Sequence, residues 1–168
     1  VSATPVREAM ARLEATGLVV RAALRGYRVA PLLSPDEIVQ LMDARCAIEV
    51  ENASLACGQA QDAVCDLLEI AIADMRNAPH GSSFEDFSAY WEADERFHLH
   101  IAEHANNRFL LAAYNALGGQ LQRFRYFSGV GVTDADAAIA EHAAIREAFV
   151  RRDRKLAARQ MKAHIVRA

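Results

Sequence analysis

Apolar positions recur at helical spacing over most of the chain. From residue 35 onward they predict six helices, near residues 35–57, 61–77, 83–105, 107–127, 135–151 and 153–167. Glycine, asparagine and proline separate these segments, and no alternating, strand-like stretch follows residue 30. We therefore predict an all-α fold, an antiparallel bundle of about six helices.

The first part of the chain follows a different pattern. A short helix begins near Ser2 or Thr4, either of which can cap it, and Gly17 ends it. Two short strands, residues 18–22 and 27–30, follow and are joined by a tight turn. A helix followed by a small basic hairpin is the order found in the second half of a winged helix-turn-helix.

Charge divides the chain at the same place. Of the 19 basic and 22 acidic residues, five and two fall in residues 1–30, which leaves that part at +3 and the remainder at −6. A basic segment suits a polyanionic partner, although a difference of this size also arises by chance in a short segment. We predict two units: residues 1–31, the C-terminal part of a winged helix-turn-helix, and residues 32–168, an all-helical domain.

Composition excludes several classes of protein. A hydrophobic content of 52% excludes a disordered tail. Three cysteines are too few, and odd in number, for a disulfide scaffold. No uninterrupted apolar run approaches the roughly 18 residues of a membrane span, and the first residues lack the layout of a signal peptide. We expect a cytoplasmic protein.

Polar residues on inner helical stripes are the candidate chemistry. Asp94 and His98 lie four residues apart, so only about 40° separates them around the helix axis. His142 and His164 occupy similar apolar stripes on two later helices. Each histidine alone is most simply interpreted as a hydrogen-bonded core residue. Together with one carboxylate they suit a divalent metal, zinc first, with nickel, manganese or iron as alternatives. The other three histidines lie off these stripes: His80, His100 and His104.

An arginine also falls on a core stripe. Arg45 shares a face of the first long helix with Glu49 and needs an anion there. One interpretation is an ion pair between these two residues, at i and i+4. The other is a guanidinium fork aimed at the carboxylate of a ligand in the same cavity.

These motifs resemble those of GntR-type bacterial transcription regulators. The recognition helix matches as Ser2-Ala3-Thr4-Pro5-Val6-Arg7-Glu8-Ala9-Met10, with Leu13-Glu14 and Gly17-Leu18-Val19 after it, and the wing matches as Arg25-Gly26-Tyr27-Arg28-Val29-Ala30. The remainder is similar to the all-helical FCD effector domain of the FadR branch. Its matching pieces are Arg45-x-x-Ile48-Glu49, Asp94-x-x-Phe97-His98, Glu141-His142-x-x-Ile145 and Met161-x-x-His164-Ile165.

The resemblance implies a homodimeric repressor or activator on a palindromic operator. Its metal ligands carry over to the four residues on the inner stripes, Asp94, His98, His142 and His164. Its arginine beside a bound organic acid falls on Arg45. Its DNA contacts carry over to Ser2, Thr4, Arg7 and Gly26. A helix N-terminus offers free N–H groups to phosphate, and an arginine there can reach a guanine edge.

Two departures from the family pattern affect DNA binding. Ala3 stands where many members carry an arginine, so one contact is missing and the preferred operator is expected to differ. The sequence also begins inside the motif, without the two helices that precede the recognition helix in this family. We expect the 168 residues by themselves to bind DNA weakly.

The function expected is that of a ligand-responsive transcription regulator, not an enzyme. One alternative is a metal-dependent enzyme acting on a small carboxylate. Its general base would have to come from residues such as Glu95 or Glu141, which face about 100° away from the adjacent ligands on their own helices. The other alternative is a metal-free bundle that binds an acyl chain or another apolar effector.

Overall fold

The computed structural model describes residues 3–59, 62–79, 84–127 and 134–167. Within these ranges the chain forms a helix, a hairpin and six further helices: α1 (Ala3–Ala15), β1 (Val19–Ala22), β2 (Gly26–Val29), α2 (Pro35–Gly58), α3 (Asp62–Asn77), α4 (Phe84–His104), α5 (Arg108–Phe127), α6 (Ala135–Val150) and α7 (Arg154–Arg167). The prediction of a six-helix bundle preceded by a helix and a hairpin is confirmed.

Local capping chemistry explains where the long helices begin. Ser34 is the N-cap of α2 and forms a capping box, because its hydroxyl accepts from the backbone N–H of Glu37 while the Glu37 carboxylate accepts from the backbone N–H of Ser34. The Asn107 side chain accepts two backbone N–H groups at the start of α5. Asp153 accepts one at the start of α7.

The N-terminal segment, residues 3–31, contains α1 and the hairpin. Gly17 ends α1 with a φ of +72°, a left-handed conformation that favours glycine. The strands pair antiparallel from Val19–Val29 to Ala22–Gly26. Thr4, predicted as a possible cap, lies instead inside the first turn of α1, which begins at Ala3. The alternative cap, Ser2, lies outside the described residues.

The bundle, α2 to α7, surrounds one apolar core. Helix α2 packs against α4, α5 and α7, while α3 packs against α4 and α6, and α6 packs against α7. Fully buried side chains of these helices fill the centre, among them Leu68, Ile72, Phe97, Phe149 and Met161. Within the described ranges, no helix combines the length and apolar character that a membrane span requires.

Candidate metal centre

Three helices of the bundle bring the four predicted ligands together. Helix α4 contributes Asp94 and His98 from consecutive turns, and α6 and α7 contribute His142 and His164. The four residues are between 0% and 3% exposed. One potential ligand atom from each lies within 4.8 Å of those of the other three. Residues on inner stripes of packed helices face one another, which explains the convergence.

The separations between these side chains fit a small divalent ion. Nε2 of His142 lies 3.3 Å from Nε2 of His98 and 3.3 Å from Oδ1 of Asp94. Nε2 of His98 lies 3.9 Å from Oδ2 of Asp94. Nitrogen and oxygen ligands about 2.0–2.2 Å from a tetrahedral zinc ion lie roughly 3.3–3.6 Å apart. The arrangement therefore matches the donor chemistry of such a site, and two of these three separations fall in its range while the third is 0.3 Å longer.

Partners outside the cluster orient all three imidazoles. Nδ1 of His142 lies 2.7 Å from the carbonyl oxygen of Ala138, and Nδ1 of His164 lies 2.8 Å from Oε2 of Glu141. Nδ1 of His98 lies 2.7 Å from Oε2 of Glu49, an ionic contact whose angle falls outside good hydrogen-bond geometry. An oxygen next to Nδ1 favours the tautomer with a proton on that atom, and in that tautomer Nε2 of each ring would be free to bind a metal.

Burial keeps two of these imidazoles neutral. It lowers the pKa of His98, although the neighbouring Glu49 carboxylate partly opposes the shift. It lowers the pKa of His164 well below the usual value, and the nearby His142 and His98 lower it further. Neutral imidazole is the form that binds a metal. These lowered pKa values therefore favour the form of His98 and His164 that can bind a cation near neutral pH.

The Arg45–Glu49 ion pair, one of the two interpretations left open by the sequence, is present. Nε and Nη2 of Arg45 lie 2.6 and 3.5 Å from the two carboxylate oxygens of Glu49. Burial alone would raise the pKa of Glu49, but Arg45 and His98 hold it far below its usual value. Nη1 of Arg45 points elsewhere, 3.9 Å from Sδ of Met42, on the wall of a pocket.

That pocket opens beside the candidate ligands. Arg45, Asp94 and His164 line its inner part, and Arg167 and Asp134 line its outer part. Its water-accessible volume is about 70 Å³. Arg167 forms ion pairs with Asp134 and Glu141, which raise the pKa of its guanidinium. The pocket thus offers a small ligand one route to the cluster and to Arg45.

Sequence reasoning missed two carboxylates beside the cluster. The sequence pattern pairs Glu49 only with Arg45, yet Glu49 also contacts His98. The same pattern turns Glu141 away from His142 on its own helix. Glu141 instead contacts His164 of the neighbouring helix α7. Helical periodicity describes one helix at a time, so it holds no signal for this contact between helices.

The residues predicted to contact DNA lie in the N-terminal segment, whereas the cluster lies on α4, α6 and α7. Thr4 and Arg7 are exposed in the first two turns of α1, and Gly26 is exposed at the start of β2, directly after the hairpin turn, with a φ of +79°. Ser2 lies outside the described residues.

The other three histidines were expected to lie outside the cluster. His100 lies near Glu103, and His104 contacts the carbonyl oxygen of His100. His80 is not among the described residues.

Comparisons with known proteins agree with this architecture. The model of the FCD domain matches residues 40–167. The HTH-type transcriptional repressor RspR of Escherichia coli K12 is 28% identical over 165 residues, which cover 98% of this chain and 71% of that protein. The solved structure of E. coli McbR/YncC superposes with a TM-score of 0.83 at 16% identity, covering 99% and 77% of the two chains. That of Streptococcus agalactiae GntR superposes with a TM-score of 0.65 at 17% identity, covering 99% and 80%. The chain belongs to the FCD-domain family of GntR-type transcription regulators.

Proposed function

We propose that this regulator responds to a small organic acid through a divalent metal held by Asp94, His98, His142 and His164. The observation that supports the metal is the orientation of the three imidazoles. Their Nδ1 atoms face oxygen acceptors, so three Nε2 lone pairs and one carboxylate converge. Such a set attracts a cation, and imidazole with one carboxylate suits zinc first, then nickel, manganese or iron.

The pocket supports a small acid as the effector. A bound divalent ion would supply positive charge for a carboxylate oxygen at the inner end of the pocket. Nη1 of Arg45 lies on the same wall and can donate to that carboxylate while Nε and Nη2 stay with Glu49. A water-accessible volume of about 70 Å³ favours a molecule of a few heavy atoms over a long acyl chain.

The N-terminal segment supplies the proposed DNA contacts. Residues 1–31 form the second half of a winged helix-turn-helix in this proposal, and residues 32–168 form the effector domain. The free N–H groups near Thr4 face phosphate, Arg7 reaches a base edge, and Gly26 lets the wing approach the backbone. A homodimer would place two such heads on a palindromic operator.

We also infer that the metal serves binding and not turnover. The carboxylates that touch the candidate ligands from outside, Glu49 and Glu141, each already contact an arginine and an imidazole. Neither is placed to act as a general base for water. Product formation from simple carboxylic acids by the zinc-loaded protein would contradict this inference.

Operator binding tests the proposed response. We expect zinc with an effective organic acid, from a panel such as acetate, malate and citrate, to change operator affinity of the full-length protein by about fivefold or more. His142→Ala should abolish that change, whereas His104→Ala, which alters an exposed histidine of the bundle, should retain it. Fluorescence anisotropy with labelled operator measures both. An operator affinity that is the same with and without zinc and every acid tested would contradict the proposal.

A single substitution tests the DNA assignment separately. Arg7→Ala should weaken operator binding by about 10- to 100-fold, as expected for the loss of an arginine that contacts a base. Arg108→Ala, an exposed arginine at the start of α5, is the matched control. An unchanged affinity in Arg7→Ala would refute the recognition-helix assignment and leave the metal centre untouched.

A further inference from the structure

Helix α5 contacts both the pocket and the N-terminal segment. On one side, Leu121 lines the pocket beside the candidate metal ligands. Leu121 also lines a second, narrow cavity together with Gly118, next to Arg45 and Glu49. A ligand in the pocket would therefore lie against α5.

A buried arginine on the same helix holds the N-terminal segment. Arg123 is 6% exposed. Its Nη2 donates to the carbonyl oxygen of Ala30 at 2.7 Å and to that of Pro31, and its Nη1 donates to the carbonyl oxygen of Gly17 at 3.4 Å. One guanidinium thus joins the end of α1 to the chain that leaves the hairpin.

Gln120 and Gly119 extend this contact by one turn. Nε2 of Gln120 donates to the carbonyl oxygen of Thr16 at 3.3 Å, and its Oε1 accepts from Nη1 of Arg123 at 3.3 Å. A Cβ placed on Gly119 would lie 3.1 Å from Cβ of Thr16. The backbone of α5 therefore approaches the end of α1 closely.

We propose that α5 couples the effector pocket to the DNA-contacting segment, with Gln120 and Arg123 as the positioning residues. Hydrogen bonds tolerate only a few tenths of an ångström of stretch, so a displaced α5 must either carry the segment with it or break these bonds. A ligand displaces α5 only if it binds the two positions with different affinities. The coupling rests on the proposed function of the pocket, whereas the positioning of the segment does not.

Hydrogen exchange separates these two parts. In metal-free, full-length protein, Arg123→Met should raise the amide exchange rates of residues 19–30 about tenfold, because bonds that hold the hairpin are lost. Arg108→Met, an exposed arginine on the same helix, should leave them unchanged. The pocket helices other than α5 are α2, α4, α6 and α7. Zinc with acetate should slow amide exchange both in these pocket helices and in the hairpin of the native protein. In Arg123→Met it should slow exchange in the pocket helices only.

Three results would overturn the proposal, and each one contradicts a different step: the positioning role of Arg123, the coupling through α5, or the metal-dependent response. Unchanged hairpin exchange in metal-free Arg123→Met would refute the positioning role. A hairpin that fails to respond in native protein while the pocket helices are slowed would refute the coupling and leave the proposed function intact. Helices α2, α4, α6 and α7 that respond neither to zinc with acetate nor to zinc with malate or citrate would refute the metal-dependent response and the coupling together.

Discussion

At the scale of single residues, Glu141 shows how a side chain outside the cluster can control it. Its carboxylate contacts both Nδ1 of His164 and the guanidinium of Arg167. That contact favours a proton on Nδ1 of His164 and leaves Nε2 facing the other ligands. Glu49 makes an ionic contact with Nδ1 of His98 at 2.7 Å. The metal proposal therefore depends on these two carboxylates as well as on the four candidate ligands.

Removal of the Glu141 carboxylate should weaken zinc binding. We expect Glu141→Ala to lower zinc affinity about 10- to 100-fold, because the His164 ring loses the acceptor that orients it. Glu141→Gln keeps an acceptor oxygen and should recover part of the loss. Glu147→Ala alters an exposed glutamate of the same helix, paired with Arg151, and serves as the control. Competition with a chromogenic chelator measures the affinity, and equal affinities in all four proteins would refute this role.

The stability of the metal-free protein should fall in acid. Burial lowers the pKa of His98 and His164, so below the ordinary histidine value of 6.5 the unfolded chain binds protons that the native state does not. Glu49, Asp94, His142 and His164 face His98. His98, His142 and Glu141 face His164. The free energy of unfolding should therefore decrease by about 1 kcal/mol per pH unit for each histidine as pH falls below that value.

Urea unfolding at several pH values measures this dependence. His164→Ala should give a shallower loss of stability between pH 7.5 and about 5.5, where its proton no longer contributes. His104→Ala should keep the native slope. A metal-free protein that is equally stable or more stable at the lower pH would contradict the assignment of buried neutral imidazoles.

At the scale of elements, the helices themselves followed from the sequence. Predicted and observed helix ends differ by no more than a residue or two, because caps such as Ser34 and breaks such as Gly17 act locally. The cluster was also predictable, since inner stripes of a bundle must face one another. The contacts of Glu141 with α7 and of Arg123 with the residues that flank the hairpin were not, because they depend on how helices are rotated and packed.

Two adjacent glycines in α5, Gly118 and Gly119, test whether this helix packs closely against the end of α1. Alanine stabilises a helix interior by about 0.5–1 kcal/mol relative to glycine. Among the described residues, a Cβ at Gly118 would meet Glu95 Oε1 alone, at 4.0 Å, whereas one at Gly119 would press against Thr16. Gly118→Ala should therefore gain that stability, and Gly119→Ala should gain less or lose stability.

Thermal and urea unfolding of the two variants give the comparison. Gly119→Ala should also speed hydrogen exchange in the hairpin, because Thr16 has to move, while Gly118→Ala should not. Equal stabilisation with identical hairpin exchange would show that α5 does not press on the end of α1.

At the scale of the whole molecule, the proposed function gives the same bundle two roles, as a sensor and as a support for the segment proposed to contact DNA. Family membership establishes a transcription regulator, and the geometry adds where a metal, an acid and the hairpin would communicate. The pocket and the residues that flank the hairpin contact different sides of α5, so a local change in one can reach the other through a single helix. Dimerisation would then convert a change within one chain into a change in the spacing of two heads.

Zinc-edge anomalous diffraction from crystals grown with zinc tests the metal centre most directly. The account predicts one strong peak within about 2.0–2.2 Å of a ligand atom from each of Asp94, His98, His142 and His164. A map with no peak among these four side chains, from crystals in which zinc was supplied in excess, would contradict it.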